Sequence, residues 1–274
     1  MQNKTTNILG LLEPEKISNG FFIILILCVI AILLQRISNT LMKGISLDPE
    51  IVGGFFQVIG TVYAILIGLI VYDATSRYSD AHENVVNESK ALVSVFMLSK
   101  QVAAKETSNE IQSMTKDYVH EVVVNDWTCL ENEVANIKAR ELIRDINMKA
   151  ISLTPKTKNE EVIVPMLIEA SMDVWRYRMS RFDISTHRLP NHEWMLLLYG
   201  AAITLACSFL YCLECQKAQG ALTFLTSSII FSSLYAILMF SEPYKGDFAV
   251  SKKPFEIAMD IIDGSYFNQG VLNN

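Results

Sequence analysis

The stretch Ile51–Tyr72, IVGGFFQVIGTVYAILIGLIVY, continued by residues 73–99, DATSRYSDAHENVVNESKALVSVFMLS, decides the fold. Its first half carries no charge and is long enough, at ~1.5 Å of rise per helical residue, to cross roughly 30 Å of hydrocarbon. Pro49 stands just ahead of it, where a helix begins. Neither glycine nor proline occurs from Leu69 to Thr154. For a largely polar run, that absence points to long helices. A single helix is therefore expected to leave the membrane and run on through Arg77 and Tyr78. Val85, Val86, Leu92, Val93, Phe96 and Met97 form an apolar stripe along its polar half.

Three other apolar runs lie outward from this one: Gly20–Leu34, Trp194–Leu213 and Gly220–Phe240. The first ends in Gln35, Arg36 and Ile37 rather than in small residues, and Glu13 and Glu15 precede it. It reads as an anchor and not as a cleaved leader. The last two are joined by the polar stretch Glu214–Gln219, which suits a tight helical hairpin. Tyr72, Trp194, Tyr199 and Tyr211 lie near the ends of their runs, as interfacial aromatics do. The expected fold is all-α, with four transmembrane helices and a cytoplasmic helical domain inserted between the second and third. The expected divisions are a cytoplasmic tail at 1–16, spans one and two at 17–74, the inserted domain at 75–190, spans three and four at 191–241 and a cytoplasmic C-terminal segment at 242–274. Twenty of the 23 lysines and arginines fall in the tails and the inserted domain, against Arg36, Lys43 and Lys217 in the short loops. This bias puts both termini and the domain on the cytoplasmic side of an inner membrane.

Composition narrows the function. The chain is 51% hydrophobic and 19% charged, its mean hydropathy is +0.28 and its net charge is −6, so no basic stripe suits a nucleic acid. Five cysteines, Cys28, Cys129, Cys207, Cys212 and Cys215, make no disulfide framework. The C-x-x-C of Cys212 and Cys215 lacks a βαβ context, which leaves these residues as small hydrophobes.

Within the inserted domain, Thr107–Glu110 and Thr128–Glu131 both read T-x-x-E, a capping-box pattern expected to mark helix starts. A loop near Thr154–Asn159 leads to a last helix with Pro165 near its first turn, ending by about Ser185. After the fourth span, Glu242–Asp247 reads as a turn. Pro254 opens a short helix through Ile257, Met259, Ile261 and Ile262, and Asn268–Asn274 are expected to be mobile.

Catalytic patterns are missing from the sequence. His82-Glu83, His120-Glu121 and His192-Glu193 lack the second histidine four positions on, where Val86, Val124 and Leu196 stand, so no metal and no cofactor is expected. No nucleophile elbow or phosphate loop occurs either, and an enzyme is not expected. The spans hold no acid or base of the kind used in proton relays. The hydroxyls of the fourth span, from Thr223 to Ser233, suit tight packing. The second span sets Phe55, Phe56, Ile59, Gly60, Tyr63 and Ile67 along one helix. These residues either fill an interface or line a pore, with Phe56 and Tyr63, or Phe55 and Ile59, as an apolar constriction.

The run Gly60-Thr61-Val62-Tyr63-Ala64 with Tyr78, Glu88 and Ala91-Leu92, the Pro190 and Trp194 entry to the third span, and Pro243-Tyr244-Lys245-Gly246-Asp247 with Pro254-Phe255 resemble the bestrophin-like membrane proteins of bacteria. The resemblance spans about Ile51 to Ile262. It implies a remote relation to bestrophins, which are oligomeric anion channels with an apolar neck on the second membrane helix and a calcium site after the fourth. On that footing the chain is a homo-oligomeric ion channel, a pentamer by analogy, in which the second span lines a pore for inorganic ions such as chloride. Its post-span turn offers only Glu242 and Asp247, with Lys245 between them, where a calcium site needs adjacent carboxylates. The competing reading is a non-conducting anchored sensor or scaffold acting through its cytoplasmic helices.

Overall fold

The computed structural model describes residues 17–41, 48–187, 189–210 and 216–265. Nine α-helices occur among them, with no β-strand: α1 (Ile17–Leu41), α2 (Pro49–Ser99), α3 (Lys105–Glu121), α4 (Trp127–Glu131), α5 (Ile137–Ser152), α6 (Glu160–Thr186), α7 (Asn191–Leu210), α8 (Gln216–Ser241) and α9 (Lys253–Asp263). A π-helical turn, Val122–Asp126, joins α3 to α4. The N-terminal tail, Tyr211, Cys212, Cys215 and Asn268–Asn274 lie outside the described residues. Helices α1, α2, α7 and α8 are long and apolar enough to cross a membrane, and the helices between α2 and α7 form the inserted domain. The fold is all-α and multi-pass.

Helix α2 is unbroken over 51 residues. Asp48 caps its start: the Glu50 amide donates to the carboxylate at 2.9 Å and the Val52 amide to the backbone carbonyl at 3.1 Å. Beyond Pro49 it holds no proline, so nothing interrupts its hydrogen-bond ladder.

The chain forms two compact units, one comprising Met1–Arg77 with Arg188–Phe248, the other Tyr78–His187 with Ala249–Asn274. In the first, α8 packs along α1 and α7, and Tyr63, Ile70, Leu197, Ala201, Ile230 and Ile237 build the core. Two glycines permit the closest approaches. Gly200 lies against the Tyr63 ring and Gly20 against the Tyr235 ring, and a Cβ on either would overlap the aromatic carbons. At one end of the bundle the Asn39 amide donates to Gln219 at 2.9 Å, holding α1 to α8. Thr223 and Ser227 are fully buried, in keeping with hydroxyls used for close packing.

In the second unit, α3, α5 and α6 pack on one another and α9 lies on α3. Val85, Leu92 and Phe96 of the expected stripe are buried, but Met97 points outward. The positions with no exposure at all are Ala81, Val85, Glu88, Leu92, Val95 and Ser99, spaced three and four apart with a carboxylate among them. Neither T-x-x-E begins a helix. Thr107 lies inside α3, and Thr128–Glu131 close α4. The residues just before each threonine, Lys105 and Glu106 of α3 and Trp127 of α4, are already helical, so neither threonine is the cap. The true cap is Asn136, whose side chain accepts from the Ala139 amide at 3.1 Å to open α5. Glu160 closes the loop before α6, accepting from the Ala103 and Lys156 amides, each at 2.8 Å.

Gly200→Ala drives a methyl into the Tyr63 ring and is expected to cost about 1–3 kcal/mol of overpacking. In detergent melts, pairing it with Tyr63→Ala is expected to cost less than the two single losses added together.

Candidate functional site

The densest polar chemistry among the described residues lies buried in the second unit. Arg181 of α6, 1% exposed, donates to both oxygens of Glu88 on α2, Nε to Oε2 at 2.9 Å and Nη2 to Oε1 at 3.2 Å; Glu88 is fully buried. Its Nη2 also reaches Oδ2 of Asp126 at 2.6 Å. One turn back on α6, Arg178 holds the other Asp126 oxygen at 3.1 Å, and its Nη2 donates to the Asn136 carbonyl at 3.1 Å. The Tyr118 hydroxyl completes the set by donating to Glu88 at 2.6 Å. Two guanidinium groups thus face two carboxylates, in planar, bidentate contacts that arginine makes and lysine does not.

The local sequence explains how each group reaches this point. Leu167, Ser171, Val174, Arg178 and Arg181 occupy three- and four-residue steps on the inner face of α6. The arginines stand where apolar residues would otherwise continue the stripe. Asp126 closes the π turn and lies on the buried face with Tyr118 and Val122, at four-residue spacing. The Lys252 ammonium donates to the Val123 carbonyl within that turn at 3.2 Å.

Aromatic rings enclose the network. The Arg181 guanidinium lies 5.3 Å from the Trp127 ring centre and 5.3 Å from that of Phe255, and the two rings meet edge to face at 5.7 Å. Phe255 belongs to α9, and the Trp127 indole donates to the Val250 carbonyl at 2.8 Å. The chain after the fourth span is therefore seated on the inserted domain.

The charges set one another's protonation. Burial pushes the Asp126 carboxyl up, but Arg181 and Arg178 outweigh it and hold the group below the usual carboxylate range. Burial, then the Glu88 charge, pushes the Tyr118 phenol far above its ordinary value, so it stays a donor. Burial also disfavours the charged form of Arg178, but the carboxylates of Asp126 and Glu88 help to reverse that and raise it further. Glu121 is likewise net lowered, its burial being outweighed by Lys138, Asn125 and Asn136.

The six residues put forward from the second span do not share one environment. Phe55 is 64% exposed; Phe56, Ile59, Gly60 and Ile67 are half-buried. Tyr63 is 5% exposed, and its hydroxyl donates to the Leu197 carbonyl on α7 at 3.0 Å. The exposed side of this span bears Gly54, Gln57, Thr61, Ala64 and Gly68 together with Phe55, Val58, Val62, Ile65 and Leu69, the last five 61–64% exposed. In the post-span turn, closed by the Lys245 amide on the Glu242 carbonyl at 3.1 Å, Glu242 is half-buried and Asp247 exposed. Among the described residues no group of three or more histidine, cysteine or acidic side chains is placed to hold a metal. An open groove of about 430 Å³ lies between α2 and α6 in the second unit, with Asp80, Glu83 and Asp183 in its lining and no basic side chain.

The model of the Bestrophin-like domain matches residues 21–255. The chain belongs to the bestrophin-like family. Membership places it among membrane proteins rather than enzymes. At the level of whole sequences, no curated protein matches this bestrophin-like chain. Its fold is similar to that of a bacterial Bestrophin homolog from Klebsiella pneumoniae. One crystal structure of that homolog superposes with a TM-score of 0.64 at 12% identity, covering 92% of this chain and 98% of that one. A form of the same homolog carrying a single mutation gives 0.68 at 11%, covering 89% and 98%. A further crystal structure, of a membrane protein with one substitution, gives 0.67 at 11%, covering 92% and 98%.

The sequence reading of the bestrophin-like chain missed the Arg178–Arg181 network, although Glu88 figured in the family pattern. The available signal was the unbroken three-and-four spacing through Glu88 on α2 and through both arginines on α6.

Removing one partner strands the remaining buried charges. Arg181→Met is expected to lose about 3–5 kcal/mol, read as a lower melting temperature, and Arg181→Lys is expected to restore only part of it. Asp126, Glu121 and Glu160 all have lowered native values, so the unfolded chain binds protons first on acidification. Stability from these groups is expected to be complete above about pH 5 and to decline below about pH 4, as melts between neutral and acid pH would record.

Proposed function

We propose that this chain assembles into a homo-oligomeric ion channel of the inner membrane, with α2 lining the pore and with both termini and the inserted domain in the cytoplasm. The uncovered side of α2 carries this reading. Gln57 and Thr61 stand there among Gly54, Ala64 and Gly68, and none of the other three spans is so little covered by its own subunit. A side-chain amide held against lipid lacks hydrogen-bond partners, a cost that water in a pore or a neighbouring subunit removes. Gln57, Thr61, Ala64 and Gly68 then face water, while Phe55, Val58, Val62 and Ile65 flank the row. Tyr63 serves as the inward anchor, with Phe56, Ile59, Gly60 and Ile67 between. Family membership supports the channel class, and five copies is the number that analogy supplies.

The analogy also supplies a small anion, chloride, as permeant ion. The groove with Asp80, Glu83 and Asp183 favours cations wherever it meets the ion path. Purified protein in a planar bilayer under a salt gradient is expected to conduct, and its reversal potential decides between the two ions. Gln57→Leu is expected to change the conductance by about threefold or more, since it removes a polar group from the lining. A silent bilayer with an intact oligomer would instead support the anchored sensor or scaffold.

A further inference from the structure

We propose that the outer faces of α5 and α6 are the two complementary halves of a contact between neighbouring copies of this chain. The inference rests on the homo-oligomeric reading and names the surface that joins subunits within the inserted domain. On α5 the row Ile137, Glu141, Arg144, Met148 and Ile151 repeats at steps of four and three residues, the spacing of one helix face. Across the connecting loop, α6 shows Val162, Met166, Glu169, Met172, Arg176 and Met179 in a similar rhythm. Every member of both rows is exposed, and their seven aliphatic side chains are 44–64% exposed. Single exposed aliphatics are ordinary on a protein surface. Rows of them at helix-packing spacing, on a domain that holds none of the spans, mark a surface built to be covered. Methionine, the most frequent member of the α6 row, is unbranched and adapts readily to a partner's surface.

Charge indicates which partner fits. From Ile137 to Asn159, α5 and the loop after it, six basic residues stand against two acidic ones. Arg140 and Arg144 lie one turn apart on the exposed side of α5, and Lys156 and Lys158 are exposed in the loop. On α6 the charged residues that are not buried are Glu161, Glu169, Asp173 and Asp183, against Arg176 alone. One face is therefore apolar and basic, the other apolar and acidic. A second copy offers each face the opposite charge together with matching aliphatic rows. Two α5 faces, or two α6 faces, would set like charge on like, which electrostatics disfavours. A contact between two different faces is heterologous, and repeated about an axis it closes into the ring that a shared pore requires.

Chemical cross-linking between copies tests this. Full-length protein with its five native cysteines replaced is made in two forms. One carries Ile137→Cys, Met148→Cys or Ile151→Cys, the other Val162→Cys, Met172→Cys or Met179→Cys. All six positions are exposed, so the substitutions leave the core intact. The two forms are co-expressed, purified together in mild detergent and treated with a short bis-maleimide. Denaturing gels are expected to show a covalent dimer in at least one mixed combination, and only monomer when either form is expressed alone. Adding Arg140→Glu and Arg144→Glu to the α5 form is expected to slow the cross-link by about threefold or more, through like-charge contact with α6. An unchanged rate overturns the pairing by charge. If no mixed combination gives a dimer while the protein still runs as an intact oligomer, the inference fails and the oligomeric reading stands. Dimers from the α5 form alone overturn it as well, since they join like faces. Protein that is monomeric before cross-linking removes the oligomeric reading and this inference together.

Discussion

A guanidinium taken out of water requires opposite charge and hydrogen-bond acceptors on several sides at once, and the inserted domain is arranged around meeting that requirement for Arg181. Glu88 must stand on the inner face of α2, where an apolar residue would otherwise sit. Asp126 must face inward, and it stands at the end of the π turn that joins α3 to α4. Arg178 balances the second carboxylate, and Tyr118 fills the remaining acceptor site on the first. With Trp127 and Phe255 over the guanidinium, the same charge also seats the segment that follows the fourth span.

The membrane unit solves a different problem. Lipid is as apolar as the helix faces it surrounds, so cohesion comes from close approach and from a few polar contacts rather than from expelling water. Gly20 and Gly200 give room for tyrosine rings, and Asn39 with Gln219 closes one end. The hydroxyl of Thr204 is satisfied by the Gly200 carbonyl on its own helix at 2.8 Å, so burying it does not strand a donor.

What could be read from the sequence follows from this contrast. Span length and the lack of helix breakers between Leu69 and Thr154 are one-dimensional properties, and both the four apolar helices and the 51-residue α2 were legible from them. The inward side of α2 was not, because hydropathy cannot separate an uncovered valine such as Val62 from a packed residue such as Ile70. The ionic network was hidden for the opposite reason. Charged residues in a polar domain look solvated until their spacing is compared with the apolar stripe they interrupt. The false helix starts at Thr107 and Thr128 share a cause, since T-x-x-E is informative only where the preceding backbone is non-helical.

The π turn has a further consequence for how this domain can vary. Helices tolerate substitution readily, but Val122–Asp126 works by residue count. Its side chains can change within the limits of packing, whereas the length between Tyr118 and Leu130 cannot. A gain or loss of a single residue there would leave a good helix whose carboxylate faces the wrong way. This segment is thus a spacer whose meaning lies in its length, and the four-member charge balance behind it is the measure of that length.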